Sequence, residues 1–151
     1  MTTTTTLFYD AYKEARTRLD LVVQLIHEND LAKKLDASPN SCGFLMRHIG
    51  DVELLFSKNV FKMHGVEVKA QTVIDRKDTG EWNNHVELRS YLDHSFNTVL
   101  RAIALQDDQE WTAVIETKEF GKKTKAEAFG RIISHTAYHA GQLAMIQKYG
   151  K

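Results

Sequence analysis

The chain has 151 residues, 42% of them apolar and 26% charged, which suits one globular domain able to bury its own core and argues against two. Its 20 basic residues balance 20 acidic ones, so no basic field exists to hold a phosphate backbone, and sequence-independent nucleic-acid binding is a poor reading. No stretch reaches the roughly 18 apolar residues of a membrane span, and a lone cysteine, Cys42, excludes an intramolecular disulfide framework and suits a reducing compartment.

Met1 and the run Thr2 to Thr6 lack the basic start and apolar stretch of a secretory signal, so the expectation is a cytoplasmic protein with a single domain over 1–151. Residues 1–6, too polar to pack, read as a frayed tail that ends by capping the first helix. With one proline, Pro39, and apolar residues at three- and four-residue steps, the sequence predicts an all-α fold. The first helix is expected from Leu7 to Asn29, with Phe8, Tyr12, Ala15, Leu19, Val22 and Ile26 on one stripe. The second runs from Asn40 to Met63, opened by Ser38-Pro39 and stopped by Gly65, with Leu45, His48, Ile49, Val52, Leu55, Phe56 and Asn59 on its stripe. Gly50 inside it costs about 1 kcal/mol relative to alanine, a cost that a closely packed neighbour would explain.

The link from His64 to Asn83 is long enough for a crossover instead of a hairpin. The third helix spans Asn84 to Gln106, with Asn84 as cap, Glu87 three residues on, and Leu88, Leu92, Phe96, Val99 and Ile103 facing the core. Between Trp111 and Thr117 the chain alternates and is β-branched, and Phe120-Gly121 reads as a turn, so a short extended or hairpin piece is expected there. The fourth helix spans Lys125 to Lys148 behind a Thr124-x-x-Glu127 capping box, with Ala128, Ile132, His135, His139, Leu143 and Ile146 on its stripe. Four helices of about 35 Å each make a four-helix bundle the natural solution. Gly50, Gly130 and Gly141 are candidate points of close helix approach.

Among seven histidines, His135 and His139 fall within about 40° of each other on the last stripe, and His48 lies between Leu45 and Val52 on the second. Each imidazole has two nitrogens that need partners when buried, and few side-chain acceptors share these stripes. Two readings stand. Either the rings are hydrogen-bonded core histidines, or His48, His135 and His139 converge on one divalent metal, with Asp51, Glu53 and backbone carbonyls as candidate acceptors for the outer nitrogens. Three protein ligands would leave coordination positions open, as catalytic sites do. His27, His64 and His94 read as solvated or helix-end residues, and His85 as a weak fourth candidate. Tyr138 and Tyr91 are possible substrate-positioning groups, with packing as the plainer role. Cys42 reads as a packing residue with a thiolate role as the alternative. No Glu-x-x-His pair of a di-iron bundle, no His-Glu-x-x-His and no Gly-rich nucleotide loop is present, and no residue is assignable as a general acid or base.

The segment His135-Thr-Ala-Tyr-His139-Ala-Gly-Gln142 with its apolar run to Ile146 resembles the last-helix signature of the DinB/YfiT-like superfamily. His48 within Phe44-Leu-Met-Arg-His48-Ile-Gly-Asp-Val-Glu53, and Phe120-Gly-Lys-Lys-Thr124 before the last helix, are similar to that family too. The resemblance implies a four-helix bundle with up-down-down-up connectivity, a mononuclear zinc or nickel site at His48, His135 and His139, and a homodimer. It also implies a thiol S-transferase or hydrolase acting on a small electrophilic substrate, with low-molecular-weight thiols such as bacillithiol or mycothiol as partners. The alternative is a catalytically silent, metal-stabilised helical module with an oligomeric or stress-response role.

Overall fold

A computed structural model of the chain describes residues 1–36 and 38–151. Helix α1 spans Thr3–Leu25, so most of the threonine run is helical and the expected frayed tail is corrected. Thr2 caps the helix by accepting from the Thr5 backbone N–H, and Thr5 itself is fully buried. Its hydroxyl donates to the Gln106 carbonyl at 2.8 Å and accepts from the Trp111 indole N–H at 2.9 Å, which removes the penalty that made the run look unpackable. The helix stops at Leu25, short of Asn29, and a 3₁₀ turn over Glu28–Asp30 follows, held by the Asp30 carboxylate on the His27 backbone N–H.

Helix α2 spans Cys42–Asn59, two residues later than the Ser38-Pro39 signal suggested. The cap is Ser41, whose hydroxyl accepts from Phe44 N–H while its own N–H donates to Asp78 at 2.6 Å. The crossover that follows carries a short helix, α3 (Gln71–Ile74), entered through Ala70 in a left-handed conformation, φ 43°. Helix α4 spans His85–Ala104, with the Asn84 side chain accepting from Glu87 N–H as the spacing predicts. A short helix α5 (Asp108–Thr112) leads into an antiparallel hairpin of β1 (Val114–Thr117) and β2 (Gly121–Thr124). Helix α6 spans Lys125–Tyr149 behind the Thr124–Glu127 capping box, with both reciprocal bonds made.

The protein is thus mostly helical. Helix α1 packs on α4 and α6, and α2 packs on the same two. Asp51 meets Tyr91 and Glu53 meets Ser95, so residue numbers rise together along α2 and α4. Leu19, Ile26, Leu45, Ile49, Leu92 and Leu143 join one core cluster, and Tyr12, Phe56, Ile103, Trp111, Phe129 and Ile132 another. Gly50 is explained: a Cβ there would lie 2.6 Å from the Tyr91 ring, so only glycine lets α4 come this close. Gly130 and Gly141 have open space beside them and mark no helix approach within the chain. Among the described residues, no helix is long and apolar enough to cross a membrane.

Candidate metal centre

Helix α2 is buried almost all round, and His48 sits where its stripe meets α6. On α6, His135 and His139 are one turn apart and present their rings to the same side. The three imidazoles gather, with ring centroids 4.4–5.2 Å apart. One nitrogen from each lies within 4.8 Å of the other two. The Nε2 atoms of His48 and His135 are 3.2 Å apart. Two nitrogens sharing an ion at about 2.0–2.1 Å in a tetrahedral site would be about 3.4 Å apart, so this pair already has a chelating spacing.

Burial is the first cause of the electrostatics here. It pushes His48 down to about 4, helped by the neighbouring His139, and His135 down to about 3, helped by His139 and His48. His139 is lowered by burial against the opposing pull of Gln142. All three rings are therefore neutral at pH 7, each with a lone pair, the form in which imidazole binds a divalent transition ion. His135 Nδ1 is buried without a hydrogen-bond partner, an orphaned polar atom on one of the three rings. A donor set of three neutral, converging imidazoles fits such an ion.

Behind the rings, His48 Nδ1 lies 3.2 Å from the Thr72 hydroxyl, which donates to Asp51 at 2.7 Å. Asp51 also accepts from Tyr91 at 2.6 Å and from Arg47 at 2.8 Å. The Arg47 guanidinium lies over the Tyr91 and Trp82 rings. His139 Nδ1 lies 2.6 Å from Gln142 Oε1, and the Gln142 amide donates to the Tyr138 hydroxyl at 3.1 Å. In front of the rings is an open cavity of about 620 Å³. Phe44, Val52, Leu55, Phe56 and Val73 give it mainly apolar walls, and Arg76, Lys118 and Glu119 also line it. That volume suits a small organic molecule.

Of the outer acceptors proposed from sequence, Asp51 reaches His48 only through Thr72, and Glu53 turns to Tyr12, Arg16 and Ser95 instead. Tyr138 lines the cavity, whereas Tyr91 stands behind the site as a donor to Asp51. Cys42 is buried and its thiol is pushed up to about 12, so it is a packing residue and not a thiolate. His27, His64 and His94 are exposed. His85, the first residue of α4, is not part of the group of three. Sequence reasoning missed Thr72, because a single hydroxyl in an aperiodic crossover carries no pattern.

No curated protein matches the chain. The profile of the DinB superfamily matches residues 11–143, a span that holds all three histidines and reaches from the first long helix into the last. A match over that much of the sequence settles the kinship: the chain belongs to the DinB superfamily.

Proposed function

We propose that His48, His135 and His139 together hold one zinc or nickel ion, and that the protein is a metal-dependent thiol S-transferase or hydrolase working on a small electrophilic substrate. The observation that carries this reading is the convergence of three neutral imidazoles from two helices at the floor of an apolar cavity. The scaffold we propose is the up-down-down-up bundle. The parallel run of α2 and α4 supports it, since two long helices joined by a long crossover can share a direction.

When bound, a divalent ion supplies Lewis acidity and lowers the pKa of whatever thiol or water joins it, so no dedicated protein base is needed. The chain's own residues do the rest. The histidines fix the position of the reacting centre, with Gln142 holding the His139 ring at its Nδ1. Phe44, Val52, Leu55 and Phe56 bind the apolar body of the substrate and exclude water from that side. Tyr138 stands at the cavity wall, edge-on to His139 with centroids 5.0 Å apart, placed to orient what enters.

The test has two arms. Protein purified without a nickel column is analysed for transition metals and then titrated with zinc and nickel. Less than about 0.1 equivalent bound, with no uptake on titration, refutes the metal reading, since a tight site of this type fills. The second arm assays bacillithiol, mycothiol and glutathione conjugation to a panel of electrophiles, and hydrolysis of activated esters and amides, in wild type and His139→Ala. Turnover that the variant loses supports the enzyme. Metal uptake without turnover by either protein favours the catalytically silent module.

A further inference from the structure

Asp51 is fully buried, and as a carboxylate it only accepts hydrogen bonds. Its Oδ1 takes the Tyr91 hydroxyl and Arg47 Nε, at 2.6 and 2.8 Å. Its Oδ2 takes the Thr72 backbone N–H at 3.2 Å and the Thr72 hydroxyl at 2.7 Å. A hydroxyl has one proton, and that of Thr72 points to Asp51. Toward His48 Nδ1, 3.2 Å away, Thr72 Oγ1 therefore has only a lone pair to offer. Nδ1 must carry the ring proton, and a neutral imidazole has just one, so Nε2 is bare. Nε2 is also the atom that faces His135 across 3.2 Å.

We infer that Thr72, backed by Asp51, is a positioning residue that locks His48 in its Nδ1–H tautomer and keeps Nε2 free for the centre of the cluster. The crossover helix α3 thereby belongs to the site, and the arrangement ties three separate elements to one ring. Asp51 lies on α2 one turn beyond His48, Thr72 on α3, and Tyr91 on α4. The orientation of a histidine by a partner on its other nitrogen is a general device of ligand sites. That the bare Nε2 meets an ion rests on the proposed function; the tautomer itself does not.

The experiment is nitrogen-15 NMR of the metal-free protein at neutral pH, reading each ring nitrogen as protonated or bare, with His48 assigned through His48→Gln. Wild type and Thr72→Ser are expected to show His48 with Nδ1 protonated and Nε2 bare. Thr72→Val, which has shape but no hydroxyl, is expected to lose that pattern. In a chelator competition, its zinc affinity is expected to fall by about 10- to 100-fold while Thr72→Ser stays near wild type. A wild-type His48 protonated at Nε2 overturns the inference, and this spectrum decides even if Thr72→Val does not fold. A folded Thr72→Val with unchanged tautomer also overturns it. If wild type shows the expected tautomer but takes up neither zinc nor nickel, the lock stands and the proposed function falls.

Discussion

Glu53 lies two residues past Asp51 on α2 and is equally buried, yet its partners are on α1 and α4 and none is a histidine. It accepts from Tyr12 at 2.8 Å, from Arg16 Nη1 at 2.6 Å and from Ser95 at 2.5 Å. Arg16 is only 1% exposed, and its remaining bonds go to the Leu92 carbonyl and to Asp20, whose side chain is half in solvent. Glu53→Ala leaves the buried guanidinium with only the half-exposed Asp20 as counter-charge, which costs about 3–5 kcal/mol. The Tyr12 hydroxyl, whose proton burial and the Glu53 charge hold firmly in place, loses its acceptor at the same time. Against a total stability of about 5–15 kcal/mol, that loss is large. For a chain of this size it lowers the melting temperature by roughly 6–20 °C at about 2–4 °C per kcal/mol. The control is Arg16→Met with Glu53→Leu, which removes both charges and fills the space, and it should cost far less than the single change. Urea unfolding at neutral pH measures both. A loss under about 1 kcal/mol for Glu53→Ala, or an equal loss in the double variant, refutes the claim that a buried charge deprived of its buried partner is the cause. Zinc uptake by the folded double variant should match wild type.

Three further outcomes follow from the same contacts. The metal-free protein should lose stability as pH falls below about 6.5, because the unfolded chain protonates His48 and His135 there while the folded one does not until about 4 and about 3. Each ring contributes up to about 1.4 kcal/mol per pH unit, and replacing both by glutamine should flatten the urea midpoint between pH values of about 4 and 6. Gly50→Ala should destabilise by about 1–3 kcal/mol in urea unfolding despite alanine's better helix propensity, since its Cβ would press on a Tyr91 ring pinned by Asp51 and Arg47. Zinc at about 100 times its Kd should add about 2.7 kcal/mol to the stability of wild type in thermal melts, a gain that His139→Ala forfeits almost wholly.

What the sequence reveals follows the physics of repetition. The helical stripes, the Asn84 cap, the Thr124–Glu127 box and the hairpin after Trp111 are legible because each rests on a local pattern of three or four residues. The three histidines are legible for the same reason, as polar intruders on apolar stripes. Thr5 escapes because its burial depends on Gln106 and Trp111, about a hundred residues away. Arg16 escapes likewise: no local pattern marks an arginine for burial, and only the approach of Glu53 from another helix makes it a core residue. Asp51 and Glu53 look interchangeable in sequence, two acids near a histidine. Their separate fates are set by a 200° rotation about the helix axis over two residues, which turns one toward the crossover and the other toward α1. Thr72 depends on where a twenty-odd-residue link returns to the bundle, which no local rule encodes.

His135 is coupled to His48 through the proton between their rings. With His48 Nε2 bare, a hydrogen bond across the 3.2 Å between the two Nε2 atoms would take its proton from His135. A neutral His135 protonated at Nε2 has a bare Nδ1, the buried atom left without a partner. In that protonation state His48 presents its Nε2 lone pair directly, and His135 would move its proton to Nδ1 before offering its own Nε2. Adding one equivalent of zinc should therefore leave the His48 nitrogens in the same protonation pattern and exchange the two nitrogens of His135, in the same NMR experiment that reads the tautomers. His135→Asn should remove the second change and leave the first assignment intact. A His135 already protonated at Nδ1 before zinc is added would refute this account of the contact.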